Sequence, residues 1–356
     1  MLTLKEIDEI REHLEKAQNP LFLFDNDNDG LTSFLILQRF IGRGKGIAIK
    51  TFPDLNIIYH KRVRELNPDY IFILDKALVS DEFLEKVKED NIPVVWIDHH
   101  QVDVEKNKWI KDSYINYYNP YLNDKTNEPV AYLSYKIANR KEDIWLAMVG
   151  CISDCYMPDF YDEFVEKFPE LGLKNPKSPF DLLYNSEIGR ISRILDFSLK
   201  DTTTNVVQML KFMMKARGPL DILDESSGTK QLLKRFEEIN SKYQDLILRA
   251  RESVEGDLLY FQYSGNLSLS SNISNQLMYE FPDKVIVVVY INKEIGNISL
   301  RGPGNVLKLT LDVIEGIDGA TGGGHEKATG AKMVVGELAG FKVAVEKAVE
   351  KGVGLV

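Results

Sequence analysis

The sequence predicts an α/β protein, a parallel-sheet domain joined by a long helix to a smaller α/β domain. Three observations carry that expectation. Short apolar runs at Leu21 to Phe24, Gly46 to Thr51, Tyr70 to Leu74, Val94 to Ile97 and Tyr114 to Tyr118 alternate with helical patterns, as a parallel sheet covered by helices requires. From Gly228 to Glu255 the chain lacks proline, is rich in Lys, Arg and Glu, and is apolar at Leu232, Leu233, Phe236, Ile239, Tyr243, Leu246 and Ile247. That spacing describes an amphipathic helix long enough to join two domains. Beyond it a second alternation starts with Leu258 to Phe261, continues with Lys284 to Tyr290 and reaches Asn297 to Arg301. The boundaries read from this pattern are 1–155 for the first domain, 156–256 for a helical insert and the connector helix, and 257–356 for the second domain.

In chain order, Met1 to Gln18 alternates charged residues with Leu and Ile at helical spacing and reads as an amphipathic helix; a secretory signal would need a continuous apolar core. The first strand runs into Asp25-Asn26-Asp27-Asn28-Asp29-Gly30. Alternate residues of an extended segment point the same way, so Asp25, Asp27 and Asp29 can face one site. Gly30 then frees the backbone to turn into a helix beginning near Leu31, whose first amides could face phosphate. The strand at Tyr70 to Leu74 ends in Asp75, the one at Val94 to Ile97 ends in Asp98-His99-His100, and the helical run Leu146 to Ile152 closes on Asp154. Between Tyr156 and Ile222, Pro158, Pro169, Pro176, Pro179 and Pro219 interrupt the pattern and strand signals are sparse, which predicts a helical insert. The second domain closes with a glycine-rich loop at Gly322-Gly323-Gly324-His325, a strand-like Ala331 to Val335, and a terminal helix from about Glu337.

Composition narrows the classes. With 356 residues and 44% hydrophobic content the chain can bury substantial cores, yet no apolar stretch approaches the roughly 18 residues of a spanning helix, so no membrane partner and a cytoplasmic location are expected. Two cysteines exclude a disulfide scaffold. Cys151 and Cys155 bracket Asp154, but zinc sites draw on more soft ligands, so both read as reduced thiols buried in a helix. A net charge of −10 argues against a general basic coat for nucleic acid, although it does not exclude a nuclease. The basic clusters at His60 to Arg64 and from Lys230 to Arg251 read as solvated helix faces.

Four segments thus place carboxylates and histidines where buried elements end, the position at which open parallel sheets bind ligands. Two of the five histidines sit in one triplet. An oxygen-rich set with an imidazole suits Mn²⁺ or Mg²⁺ better than zinc, and crowded aspartates need cations to offset their mutual repulsion. Attack on phosphorus assisted by two metals roughly 3.5–4 Å apart is the chemistry such a cage serves.

These segments, in this order, resemble the DHH phosphoesterase superfamily, named for the triplet that stands here as Asp98-His99-His100. Gly322-Gly323-Gly324-His325-Glu326-Lys327-Ala328-Thr329-Gly330 is similar to the GGGH element of the DHHA1 domain that follows the DHH catalytic domain in RecJ-type nucleases and nanoRNases. The resemblance covers the first ~160 and the last ~100 residues, a length that allows about two domains. It implies two Mn²⁺ ions, with Mg²⁺ as the alternative. Asp25 and Asp27 would hold one ion, Asp29, His99 and Asp154 the other, and Asp75 would bridge. Many relatives carry histidine where this chain has Asp25. Asp75, Asp98, His99 and His100 form the implied catalytic group, in which Asp98 either ligates or orients His99 and His100 meets the substrate phosphate. In the second domain, Arg301, Gly322, Gly323, Gly324 and His325 are the implied phosphate grip. The implied activity is that of a RecJ-like exonuclease, similar to the archaeal ones, releasing mononucleotides from single-stranded DNA or RNA. A nanoRNase or cyclic-dinucleotide phosphodiesterase acting on short oligonucleotides is the alternative. A RecJ-related scaffold with a replication or repair protein as partner is another.

Overall fold

All five apolar runs of the first domain pair side by side and in parallel, because each strand is followed by a segment that returns over the sheet before the next begins. The computed structural model describes residues 1–51, 54–105, 107–226 and 228–355. It falls into two units, Met1–Arg235 and Phe236–Val356. The first opens with α1 (Leu4–Lys16), β1 (Pro20–Asp25), α2 (Asn28–Ile41), β2 (Lys45–Ile49), β3 (Asp54–Leu55), α3 (His60–Leu66), β4 (Tyr70–Leu74), β5 (Leu78–Val79), α4 (Asp81–Glu89), β6 (Val94–Ile97) and β7 (Ile115–Tyr118). α1 lies within the stretch Met1 to Gln18 expected to be helical, and its start is set at Leu4 by Thr3 and Glu6, which close a reciprocal cap. The main sheet has the order β2-β1-β4-β6-β7 with every pairing parallel, and β3 and β5 form a separate two-stranded ladder.

That order makes the β1–β4 junction a switch point, since the chain leaves β1 toward β2 on one side and returns to build β4, β6 and β7 on the other. Phe24 pairs with Leu74 and Leu74 with Ile97, so the residues that follow, Asp25, Asp75 and Asp98, emerge along one edge. Both faces of the sheet are apolar. Leu23, Ile73 and Trp96 pack on one side with Phe83, Leu84 and Val87 of α4. On the other, Phe22 lies 5.0 Å from Phe72 and 5.5 Å from Phe34 of α2, measured between ring centres.

The chain continues with α5 (Pro120–Asp124), α6 (Val130–Ala138) and α7 (Ile144–Ser153), of which α7 is buried along nearly its whole length. Contact between α2, α6 and α7 depends on Gly150. A Cβ there would stand 2.3 Å from the Ala131 Cβ and 2.4 Å from the Thr32 Oγ1, too close for any other residue without movement. Beneath this trio, fully buried Asp143 accepts hydrogen bonds from Arg39 Nε at 2.7 Å and Arg140 Nε at 2.9 Å, so both carboxylate oxygens are paired. The predicted insert is helical: α8 (Tyr161–Lys167), α9 (Pro179–Asn185), α10 (Glu187–Leu199), α11 (Thr203–Met213) and α12 (Leu220–Leu223).

The predicted long helix is α13 (Lys230–Arg251), and the division between units falls inside it. The second unit then comprises β8 (Val254–Glu255), β9 (Leu258–Ser264), α14 (Ser270–Glu280), β10 (Val285–Asn292), β11 (Ile295–Arg301), α15 (Val306–Ile314), β12 (Thr321–His325), β13 (Ala328–Val334) and α16 (Leu338–Glu350). Its sheet has the order β12-β13-β11-β10-β9-β8 and is mixed, with β9 and β10 parallel and the other pairs antiparallel. Val287, Val289 and Leu300 form its core with Phe341 and Val345 of α16.

One expectation is corrected here. The glycine-rich segment is an edge strand, with Gly323 opposite Gly330 of β13, and not a loop. Its lack of side chains lets it lie under α15, where a Cβ on Gly322 would stand 2.8 Å from Ile314 Cδ1.

Candidate metal centre

The first acidic segment is not extended throughout. Asp25 ends β1, Asp27 caps α2 by accepting the Gly30 amide at 3.0 Å, and Asp29 already lies in the first helical turn. The three acids are therefore brought together by a strand end, a cap and a helix, and not by strand alternation. Gly30 also has a different role from the predicted turn. It sits in the first turn of α2, where a Cβ would stand 2.5 Å from the Asp25 carbonyl oxygen, so glycine is needed for the helix to start against the strand end. Asn28, buried beside it, donates to the Ser192 carbonyl of α10 at 2.8 Å and to its hydroxyl at 3.0 Å. Asp29 is buried and accepts two backbone hydrogen bonds at the start of α6, from Val130 N and Ala131 N, both at 2.7 Å.

Asp75 follows β4 in a left-handed backbone conformation, φ 57°. Its Oδ1 is buried and has no hydrogen-bond partner. His99 Nε2 lies 3.3 Å from this oxygen, 3.5 Å from Asp154 Oδ2 and 4.0 Å from Asp29 Oδ2. The other ring nitrogen, Nδ1, is 3.1 Å from the Asn127 carbonyl oxygen, to which it donates. When the ring is neutral its proton sits on Nδ1 and the lone pair of Nε2 faces the carboxylates, the orientation a metal-binding imidazole needs. Asp154 ends α7 and is 38% exposed, so the cluster opens to solvent on its side. Ligand atoms of Asp29, His99 and Asp154 come within 4.8 Å of one another, as do those of Asp75, His99 and His100.

The orienting role considered for Asp98 goes to a different histidine. Asp98 is fully buried and accepts from His100 Nδ1 at 2.8 Å and from the Tyr117 hydroxyl at 3.3 Å, while Asn127 takes the proton of His99. Asn119 steadies this arrangement by donating to the His100 carbonyl at 2.9 Å and to the Tyr117 hydroxyl at 2.8 Å. Asp25 and Asp27 stand outside both groupings of ligand atoms among the described residues. Asp25 Oδ1 instead accepts from Lys76 Nζ at 2.9 Å, and Lys76 is only 3% exposed.

Burial is the largest influence on the carboxyls of Asp27, Asp29, Asp75 and Asp98, and it favours the neutral form. With the neighbouring Asp25 charge it raises Asp27 to about 6, and with the Asp154 charge it raises Asp29 to about 7. Asp75 is pushed well above the carboxylate range by burial and by the charges of Asp29 and Asp27. Burial opposes the imidazolium forms, but the Asp154 and Asp29 charges outweigh it at His99, and Asp98 outweighs it at His100, raising each to about 9. Asp98 departs from the other acids: burial opposes its charge, yet His100 overcomes this and holds it below its ordinary value. The donor set fits a hard divalent cation. It consists of carboxylates and imidazole, includes an orphaned buried oxygen on Asp75, and involves no thiolate, with Cys151 buried in α7 and Cys155 exposed.

The remaining predicted residues form a separate grouping in the second unit. Arg301 pairs with Ala328 across β11 and β13, and Ala328 pairs with His325 across β13 and β12, so Arg301 and His325 stand in one row on the same face of the sheet. The Arg301 guanidinium donates to Asn275 Oδ1 at 2.6 Å and to the carbonyls of Leu300 and Thr329 at 2.8 and 3.2 Å. Sequence reasoning missed Lys76, Tyr117, Asn119, Asn127 and Ser192. Lys76 alone carried a signal, a lysine directly after a strand-end aspartate. Asn127 acts through its carbonyl and so offers no side-chain clue.

Residues 21–152 match the DHH family, N-terminal domain. No curated protein matches the sequence. Among solved structures, the chain is similar to exonuclease RecJ bound to manganese, with a TM-score of 0.67 and 16% identity over 99% of this chain and 97% of that one. It is similar to RecJ from Thermus thermophilus in complex with Mn²⁺, with a TM-score of 0.69 and 17% identity over 98% of this chain and 55% of that one. CDC45 from Entamoeba histolytica shares the fold more loosely, with a TM-score of 0.54 and 12% identity over 96% and 98% of the two chains. At these identities the likeness is one of fold.

Proposed function

From a chain that belongs to the DHH superfamily through residues 21–152 and has the fold of RecJ, we propose a metal-dependent phosphodiesterase of the RecJ type, an exonuclease that releases mononucleotides from single-stranded DNA or RNA. The observation that carries this reading is the meeting of Asp29, Asp75 and Asp154 around Nε2 of His99, together with a buried Asp75 oxygen that has no hydrogen-bond partner. Two Mn²⁺ ions, or Mg²⁺, would be held there, with Asp29, His99 and Asp154 toward one and Asp25 and Asp27 toward the other, and Asp75 shared. When bound, they supply an activated water and neutralise charge developing on phosphate oxygens.

The protein's own groups do the positioning. Asn127 fixes His99 in the tautomer that offers Nε2 to the cluster. Asp98, set by Tyr117, holds His100 through Nδ1, so Nε2 is the ring nitrogen that would donate to a nonbridging phosphate oxygen and stabilise its charge. Arg301, with His325 and the glycines Gly322, Gly323 and Gly324 of β12, would grip a phosphate of the strand away from the reacting one, the guanidinium offering paired donors. The second domain is thereby assigned to substrate holding.

End-labelled DNA and RNA ladders of graded length, incubated with Mn²⁺, test the reading. Stepwise release of mononucleotides from long single strands is expected, and chelation should abolish it. Cleavage confined to the shortest oligonucleotides would move the assignment to a nanoRNase-type enzyme. Failure to hydrolyse any substrate with metal bound would leave a scaffold for replication or repair proteins.

A further inference from the structure

Lys76 is a buried cation that the proposed reaction does not use. It follows Asp75 at the end of β4 and reaches across the end of β1, where its Nζ lies 2.9 Å from Asp25 Oδ1, to the chain beyond β2, where it lies 3.3 Å from the Thr51 carbonyl oxygen. It therefore spans the switch point of the sheet. The indole of Trp96, itself buried in β6, donates to the Lys76 carbonyl at 2.8 Å and fixes the residue at its backbone. An ammonium so withdrawn from water is costly unless paired, and its partner is one of the acids crowded around the metal centre.

Asp25, Asp27, Asp29, Asp75, Asp98 and Asp154 place six carboxylates in one region, with Lys76 and the two histidines as the basic groups facing them among the described residues. We propose that Lys76 is a resident cation of the metal centre, a positioning residue that holds Asp25 and offsets its charge, so that the divalent ion on the Asp25 side is bound weakly and exchanges. This rests on the reading of the cluster as a metal centre. Two consequences follow from electrostatics. A fixed positive charge within a few ångströms repels an incoming divalent ion, and an oxygen of Asp25 engaged by an ammonium is a poorer ligand. Removing the ammonium should therefore tighten metal binding, whereas general damage to the site would loosen it.

The experiment is Mn²⁺ titration of the full chain followed by electron paramagnetic resonance, comparing the wild type with Lys76→Met and Lys76→Gln. The weaker of the Mn²⁺ sites is expected to tighten by roughly tenfold or more in both variants, given the strength of a charge pair at this range in a partly screened site. Asp25→Asn, which removes the carboxylate and leaves the ammonium, is expected to weaken the same site. Unchanged or weaker binding in the Lys76 variants would overturn the proposal. If those variants fold only when Mn²⁺ is supplied, the ion has taken over the charge of Lys76 and the proposal stands. If they fail to fold even with Mn²⁺, Lys76 is a scaffold residue and the proposal falls. A wild type that binds Mn²⁺ yet releases no nucleotide would remove the nuclease reading and leave this inference in place. One that binds no Mn²⁺ would remove both.

Discussion

Asp75 combines three unfavourable features in one residue: a left-handed backbone, a buried carboxyl and an oxygen without a hydrogen-bond partner. The backbone conformation alone costs on the order of 1–3 kcal/mol. Such a residue is retained where something binds it, so Asp75→Ala should lower hydrolysis by roughly 10²-fold or more, the scale on which groups that stabilise charge act. Undiminished turnover in a folded Asp75→Ala protein would sink the shared-ligand assignment. The same acids set a pH dependence. Asp27 and Asp29 rise from 3.8 to about 6 and 7 in the fold, so ionising them there is unfavourable and the metal-free protein should lose stability as pH rises from about 4 to 7. His99 and His100, raised from 6.5 to about 9, contribute stability in full below 6.5 and lose it as pH rises toward 9. Both effects run the same way. Thermal unfolding at pH 5, 7 and 9, with and without Mn²⁺, should show protection by the metal growing with pH; protection that is flat or shrinking would contradict the assignment of protons.

Elements bring these residues together at places where backbone must approach backbone. Gly150→Ala puts a methyl against Ala131 and Thr32 and should destabilise the fold by about 1–3 kcal/mol, the cost of overpacking a filled interior. Because α7 ends on Asp154, Mn²⁺ affinity should fall with it. Urea denaturation beside metal titration checks both, and a variant of unchanged stability and affinity would show slack between α2, α6 and α7. At this scale the sequence was legible wherever a run was uniformly apolar. The four residues Val94 to Ile97 form β6 as expected, and the triplet at its end lands in the site, because a continuous apolar run has few other places to go. It was illegible where tertiary contact decides. Asp29 looked like part of an extended acidic segment but lies in α2, and Gly322 to Gly324 looked like a loop but pair as a strand, because glycine reports permission and not conformation.

For the molecule as a whole, the cluster of carboxylates and histidines belongs to the first unit and the row of Arg301 and His325 to the second. If these divide the work as proposed, Arg301→Ala should raise KM more than it lowers kcat at saturation, with Mn²⁺ affinity unchanged. Single-turnover kinetics with metal titration would decide: a loss confined to kcat would place the arginine on the transition state, and no loss would remove it from substrate holding. The succession of strands, insert, long helix and second sheet could be read in advance because each changes the period of the apolar pattern. Asn127 and Asn119 could not, since the histidines they hold are distant in the chain and one of them acts through its backbone; for Lys76 the sequence offered its place after Asp75 but not its partner Asp25.

Beside the ligand role proposed for it, Asp29 has a duty in the fold. Its carboxylate closes the start of α6 through two buried amides, each of which would cost about 1–3 kcal/mol if left without a partner. Among the described residues Asp154, partly open to water at the end of α7, accepts no such pair of helix-start amides. A descendant that abandoned chemistry could therefore shed Asp154 within a few substitutions, while Asp29 would persist for the sake of the helix. An aspartate surviving at the first position is thus poor testimony of an active enzyme, and one surviving at the second is good testimony.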